Sequence, residues 1–524
     1  MRKVLKEGGS EKNLPLLLLF AAGMIDFLWI TLEGQFSFVG YYLAKTYLIV
    51  PCLLFLGYML RGKVTAFAGR RLLLAAAAVS WFVVVQIVHQ MTDMEPHPIA
   101  TVFFVYLMGF PFASLTEDRD SAGIRLIGKL FVAASLVLVG YGAMLFFDWV
   151  PEGLKTFIYW DGARLRALWH PNLMAFYLMI GIGFSASFCV RTEKPLLKAL
   201  LLAVIGVQYL VMTLTNCRTV LLLTGCLLGG IAFFRIFRGG WKRFVLGLLT
   251  AVMLLAGSFS LSGVIYRWNN DRLLADMIMA QTEPAAVETV VTEPVVQTMP
   301  PETTAEVATA EAIPEEIPAE PVEEIPAEPV EEMPAEPAEE MPAEPVEEIS
   351  AELVDDMPAE ETVPMNDGGI LVGESAQGTL SSDMRTLNGR TMIWKSALNA
   401  VQDNRKLALW GTPYSGTVIS VYNPFVVHHA HNSWMEVLLR LGLPGLMLSL
   451  VFTAMSLWSA AGLLLRKETE LWKKIVAMIT LCILGAGFLE PYLFITDVYY
   501  HVMDFLFFFC TGYLDYWCNH KETA

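Results

Sequence analysis

The stretch HHAHNSWMEVLLRLGLPG, residues 428–445, decides how the rest of the chain is read. Three of the eight histidines, His428, His429 and His431, stand directly before Ser433, and Glu436 follows Ser433 by three residues. That is the spacing of a capping box, in which side chains satisfy the orphan N–H groups of a first turn, so a helix is expected to start here. Gly442, Pro444 and Gly445 interrupt it after about two turns, because glycine loosens and proline breaks the helical ladder. The apolar run 446–465 beyond them is long enough to cross a bilayer. The histidines therefore sit at a membrane surface, at the mouth of a helix. Imidazole titrates near neutrality, so His431 is placed to take a proton from an attacking hydroxyl.

Composition agrees with a membrane setting. Of 524 residues, 55% are hydrophobic, and the mean hydropathy of +0.51 is too high for a soluble protein of this size. Runs of spanning length fall near 14–32, 41–60, 72–91, 98–115, 130–147, 172–190, 199–214, 219–234, 244–264, 446–465, 475–495 and 502–517. The expected fold is an all-α polytopic membrane protein of about twelve helices. The first run has spanning length and no small-residue cleavage site after it, so it is expected to remain as an anchor.

Basic residues orient the chain. Clusters at Arg2 to Lys12, Arg61 to Arg71, Arg191 to Lys198, Arg235 to Arg243 and Arg466 to Lys474 share one face if both termini are cytoplasmic. This places 148–170, 215–218 and the long insertion 265–431 outside. Three regions follow: a membrane bundle over 1–264, an external loop over 265–431 and a membrane part over 432–524. The net charge of −16 belongs to the loop, where 283–361 carries 25 acidic residues and no basic one, which turns −16 into +9 for the remainder. An octapeptide, Ile-Pro-Ala-Glu-Pro-Val-Glu-Glu, begins at Ile317 and recurs from Ile325, Met333 and Met341. Such density of proline and like charge cannot pack a core, so about 283–365 is expected to be a disordered spacer. Order returns within about 382–411, where Arg390, Trp394, Ala397, Leu398 and Val401 recur at helical spacing and the Trp410-Gly411 pair closes the segment.

Seven cysteines lie in or beside apolar runs, so no disulfide framework or zinc spacing is indicated. Few cations are left on the external side, and each invites a functional account. Arg164 and Arg166 precede Pro171 and Asn172 at the start of the sixth run, Arg218 closes the Thr215 turn, and Arg390 starts a helix. A guanidinium presents a planar fork of donors to phosphate oxygens, and a helix start adds unpaired N–H groups. Snorkelling to lipid headgroups is the plainer use of such an arginine. Glu436 caps its helix or orients His431, while Glu490 and Asp497 line a cavity or face water.

His431-Asn432 with Glu436, Gly442 and Gly445 resembles the signature of the O-antigen ligase and O-antigen polymerase superfamily. Arg164 through Pro171-Asn172, the Thr215 to Arg218 turn, and Arg390 with Trp394 and Gly411 match further parts of its pattern. The resemblance runs from Arg164 to Leu465, apart from the acidic spacer. It implies metal-independent transfer of a glycan from an undecaprenyl-diphosphate carrier to a hydroxyl acceptor, on the external face of the cell membrane and with inversion. His431 would be the catalytic base, Arg218 and Arg390 the diphosphate ligands, and Arg164, Arg166, Asn172, Asn432 and Glu436 further substrate ligands. No metal or other cofactor is expected, and no nucleic acid partner; the expected partners are the lipid-linked donor, the acceptor and membrane lipid. Ligase and polymerase stay open, as does a protein acceptor. A flippase of lipid-linked sugars or a scaffold displaying the spacer are the readings from other classes.

Overall fold

The structure, a computed structural model, describes residues 70–89, 102–115, 121–151, 154–155, 158–161, 163–167, 171–237, 240–282, 390–413, 415–422, 429–494 and 501–519. The expected runs 14–32 and 41–60 and the acidic spacer lie outside these residues. In chain order come α1 (Arg70–Val88), a π-helical segment (Phe103–Gly109), a single turn (Phe112–Leu115) and α2 (Ala122–Phe146). A hairpin follows, β1 (Tyr159–Asp161) against β2 (Arg164–Arg166), antiparallel with Tyr159 opposite Arg166. Then come α3 (Pro171–Arg191), α4 (Pro195–Leu214), α5 (Arg218–Ile236) and α6 (Trp241–Thr282). The loop contributes α7 (Arg390–Asp403), α8 (Arg405–Trp410) and α9 (Ser415–Val421). The chain continues through α10 (Ser433–Leu465), α11 (Leu471–Gly487) and α12 (His501–Asn519).

Seven of the described helices, α1 to α6 and α10, are long and apolar enough to cross a membrane. The expected run 98–115 is not one continuous helix. Pro111 lacks the N–H that would carry a helix through, and Phe110 closes the π-helical segment by donating to the Val105 carbonyl (3.1 Å). Helix α6 passes residue 264 without a break, so its 42 residues measure about 63 Å, roughly twice the hydrocarbon thickness.

Helix α3 is central: most of its apolar stretch is buried within the protein, whereas little of α6 is. Small residues on α3, among them Gly181, Gly183 and Ala186, let neighbouring helices approach closely. Gln208 of α4 ties this region together by donating to Ser135 Oγ of α2 (2.7 Å) and accepting from Ser185 Oγ of α3 (3.4 Å).

The loop helices have a small core of their own, with Ala397, Ala400, Leu407, Ile419 and Ala430 packed against Leu439 of α10. The single helix expected from Arg390 divides at Asn404, whose side-chain oxygen accepts from the N–H groups of Lys406 (3.0 Å) and Leu407 (3.1 Å) and so caps α8. Its end meets the kink of α10 through two glycines set back to back. Gly411 (φ +74°) and Gly442 (φ +66°) hold backbone conformations that side chains resist, and a Cβ on either would overlap the chain carrying the other. Trp81 of α1 clamps this seam, stacking on Trp410 at 5.5 Å and donating Nε1 to the Leu441 carbonyl (2.8 Å).

Candidate functional site

Four separate parts of the chain meet at Glu490, which lies just beyond α11 and is 7% exposed. Its Oε1 accepts from Nη2 of Arg390, the first residue of α7 (3.0 Å), and from Nδ2 of Asn172 at the start of α3 (3.0 Å). Oε2 faces Nδ1 of His431 at 3.4 Å. Arg164 of β2 extends the network, giving Nη2 to Asn172 Oδ1 (2.9 Å) and Nε to the Thr215 carbonyl (3.1 Å). Thr215 opens the turn that ends in Arg218, the first residue of α5, so the turn and the hairpin are joined directly. The His431 side chain is 35% exposed, against 14% for Arg390 and 10% for Glu490, so the imidazole forms the outer edge of the cluster.

The electrostatics follow from this packing. Burial pushes the Glu490 pKa upward, but the His431 bond and the positive field of Arg390 outweigh it, and the carboxyl is held below its ordinary value. Glu490 is therefore an anion at neutral pH. The Cys217 thiol, at the N-cap of α5, is pushed up to about 12, chiefly by burial; it also feels Glu490, Arg164 and Arg390, which places this helix start within their field. His429 is drawn down to about 4 by burial first and His431 second, so it is neutral and its Nδ1 accepts from the His431 backbone N–H (3.3 Å). His431 itself has φ +49°, a left-handed conformation costing a non-glycine residue about 1–3 kcal/mol. The strain is held by a loop pinned on both sides, at Ala430 and at Asn432.

Those pins correct the capping-box expectation. The N-cap of α10 is Asn432, one residue earlier than Ser433, and its Oδ1 accepts from the N–H groups of Trp434 and Met435 (both 3.0 Å) while Nδ2 donates to the Phe488 carbonyl (3.0 Å). Ser433 instead donates to the Glu490 carbonyl (2.9 Å) and accepts from the Leu493 N–H (3.0 Å), fixing the Glu490 turn against α10. Glu436 does not touch His431. It is 1% exposed, with Oε2 on the Ala430 N–H (2.7 Å) and Oε1 on Arg440 Nε (2.7 Å) and the Ser415 hydroxyl, so it supports the loop from behind. The carboxylate that orients His431 is Glu490. Asn432 likewise uses its amide within the protein.

Arg164, Asn172, Arg390 and His431 are thus brought into one network, and Arg218 stands half-buried at the edge of the turn that Arg164 holds. Arg166 lies two residues further along β2, its guanidinium over the Tyr159 ring at 5.0 Å. His428, Trp169, His170 and Asp497 are outside the described residues. Among the described residues, no group of three or more His, Cys, Asp or Glu side chains is arranged to hold a metal ion. No family model, no curated protein and no solved structure matches this chain.

Proposed function

We propose that the chain is a membrane glycosyltransferase of the O-antigen ligase and polymerase type. It would move a glycan from an undecaprenyl-diphosphate carrier to a hydroxyl acceptor at the external face of the cell membrane. The observation carrying this reading is that Arg390 and His431 share one buried carboxylate, Glu490. With Glu490 at Nδ1, the imidazole keeps its proton there and turns the Nε2 lone pair outward, the tautomer a general base needs. Among the described residues Arg390 gives one donor to Glu490, which leaves the rest of its fork for phosphate oxygens. Arg218, with the first N–H groups of α5, adds positive charge from the adjoining turn.

In the proposed step the acceptor oxygen attacks the anomeric carbon, and its proton passes to His431 Nε2. The bond from that carbon to the diphosphate oxygen breaks, and undecaprenyl diphosphate leaves against the arginines, which stabilise its developing charge. Attack from the face opposite the leaving group inverts the anomeric centre.

The test uses purified protein and an undecaprenyl-diphosphate oligosaccharide. Arg218→Ala, Arg390→Ala and His431→Ala are each expected to lower transfer by about 10²-fold or more while the protein stays folded and inserted. Full transfer in any two of them overturns the assignment. A ladder of products marks a polymerase, a single transferred length marks a ligase, and a labelled polypeptide marks a protein acceptor. Free undecaprenyl diphosphate excludes a flippase, which leaves that linkage intact.

A further inference from the structure

The two ends of α10 are built differently. Its start carries the Glu490 network, while its end, with α1 and α12, walls a cavity of about 750 Å³ that the proposed reaction does not use. That volume is within the range of about 300–1,000 Å³ typical of ligand sites. Val451, Met455, Trp458 and Leu465 of α10 and Leu74 of α1 give it apolar walls, and Arg466, the C-cap of α10, stands at one end. The helix rises about 21 Å from Val451 to Leu465, a little more than the roughly 15 Å of hydrocarbon in one bilayer leaflet. Trp458 and Leu465 are each 83% exposed, so the cavity is a groove open along its outer side.

Most polar groups of the α12 wall are satisfied within the protein. Asp515 accepts from Arg71 of α1 and from Asn519 Nδ2 (2.9 Å), and the Cys518 thiol donates to the Ser459 carbonyl (3.2 Å). Arg466 differs. It gives Nη2 to the Cys518 carbonyl (3.1 Å), and among the described residues no carboxylate pairs with it. One anchored nitrogen fixes the direction of the guanidinium, and the other donors of its fork are left for an acceptor. Arg71 and Asp515 neutralise each other, so Arg466 is the unbalanced charge of the groove. An anion joined to a hydrocarbon chain complements both parts, the cation at the end and the apolar channel leading away from it. Basic pockets between membrane helices at the cytoplasmic face bind anionic lipid headgroups. The stretch from Arg466 to Lys474, with Lys467 and Lys473 between, is of the kind that insertion bias keeps at that face.

We propose that the groove between α1, α10 and α12 holds one anionic phospholipid, its phosphate on Arg466 and an acyl chain along Trp458, Met455 and Val451. The site lies at the other end of α10 from His431 and does not depend on the transfer reading.

The experiment is native mass spectrometry of the purified full chain in detergent, titrated with phosphatidylglycerol and with phosphatidylcholine of the same acyl chains. The first phosphatidylglycerol is expected to bind about five-fold more tightly than phosphatidylcholine, the effect of one arginine on an anionic headgroup. Arg466→Gln should abolish that preference, and Arg466→Lys, which keeps the charge, should retain most of it. Ala461 is exposed on the groove wall, so Ala461→Phe places a ring in the channel and should weaken phosphatidylglycerol binding about ten-fold with Arg466 in place, the equivalent of about two displaced CH2 groups. Lys467 is exposed and outside the groove, and Lys467→Gln should change little. Melting temperatures check the fold, and the two exposed positions keep the test decisive if Arg466→Gln proves unstable. Equal binding of the two lipids, phosphatidylglycerol binding unchanged by Ala461→Phe, or equal losses in Lys467→Gln and Arg466→Gln overturns the proposal and leaves the groove to bulk lipid. A dimer that Ala461→Phe dissolves assigns the groove to a second copy of the chain, and undecaprenyl phosphate bound more tightly than phosphatidylglycerol assigns it to a polyprenyl carrier; either result also overturns the proposal.

Discussion

Glu490→Gln changes one oxygen for an NH2 group and leaves the shape of the side chain intact. The consequences can be worked atom by atom. Oε1 receives two donors, from Arg390 and Asn172, so the amide oxygen must take that position. The NH2 group then faces His431 Nδ1, where only an acceptor fits, and the imidazole proton is driven to Nε2. The proposed base is lost by a change of tautomer. Removing the carboxylate partner of a metal-ligating histidine costs about 10–100-fold, and the corresponding Asp→Asn change in serine-protease triads, where the histidine is a base, costs about 10⁴, so a loss of about 10²–10⁴ is expected here. Arg390 also loses its counter-ion while 14% exposed, which adds destabilisation on the order of 3 kcal/mol. Initial rates of glycan transfer, measured beside the melting temperature on the same preparation, separate the two effects. Glu490→Asp, which keeps the charge and not the reach, should retain more transfer than Glu490→Gln. A Glu490→Gln protein within two-fold of wild-type transfer would refute the reasoning, because His431 would then need no carboxylate behind it.

Three further outcomes follow from the geometry. Gly442→Ala forces a side chain into φ +66° and against the Leu409 carbonyl, so a melting scan should show destabilisation of about 1–3 kcal/mol or more, with transfer lost as α8 lifts from the kink. Glu436→Gln sets an amide NH2 against Ala430 N–H in one orientation and against Arg440 in the other; about 3–5 kcal/mol should be lost, and limited proteolysis within 390–431 should quicken. His429 has a pKa near 4 when folded and 6.5 as its ordinary value, so between those values the unfolded chain binds more protons than the folded one. Stability should therefore fall as pH drops from about 6.5 towards 4, and melting curves of His429→Gln should lose that slope.

What could be read in the sequence is what local physics encodes. The span near 446–465, the break at Gly442 and the helix starting at Arg390 each depend on residues within a few turns of one another, and each appears where the pattern places it. The cap of α10 falls one residue before the position the capping box indicates. Asn432 and Ser433 are both good caps, and the competition is settled by the Phe488 and Glu490 carbonyls, which claim one side chain each. Pro111 is a similar case: its effect on the run 98–115 is local, yet average hydropathy conceals it. Glu490 is the instructive omission. No periodicity links position 490 to 172, 390 or 431, so pattern reading leaves it among residues that line a cavity or face water. The signal is energetic. A carboxylate at the end of an apolar run must find cations or pay for desolvation, and Arg164, Arg166, Arg218 and Arg390 are cations that stand beside other apolar runs or at helix starts. The same pairing preorganises the site: one buried negative charge fixes the guanidinium and the imidazole together, so that neither has to be ordered separately.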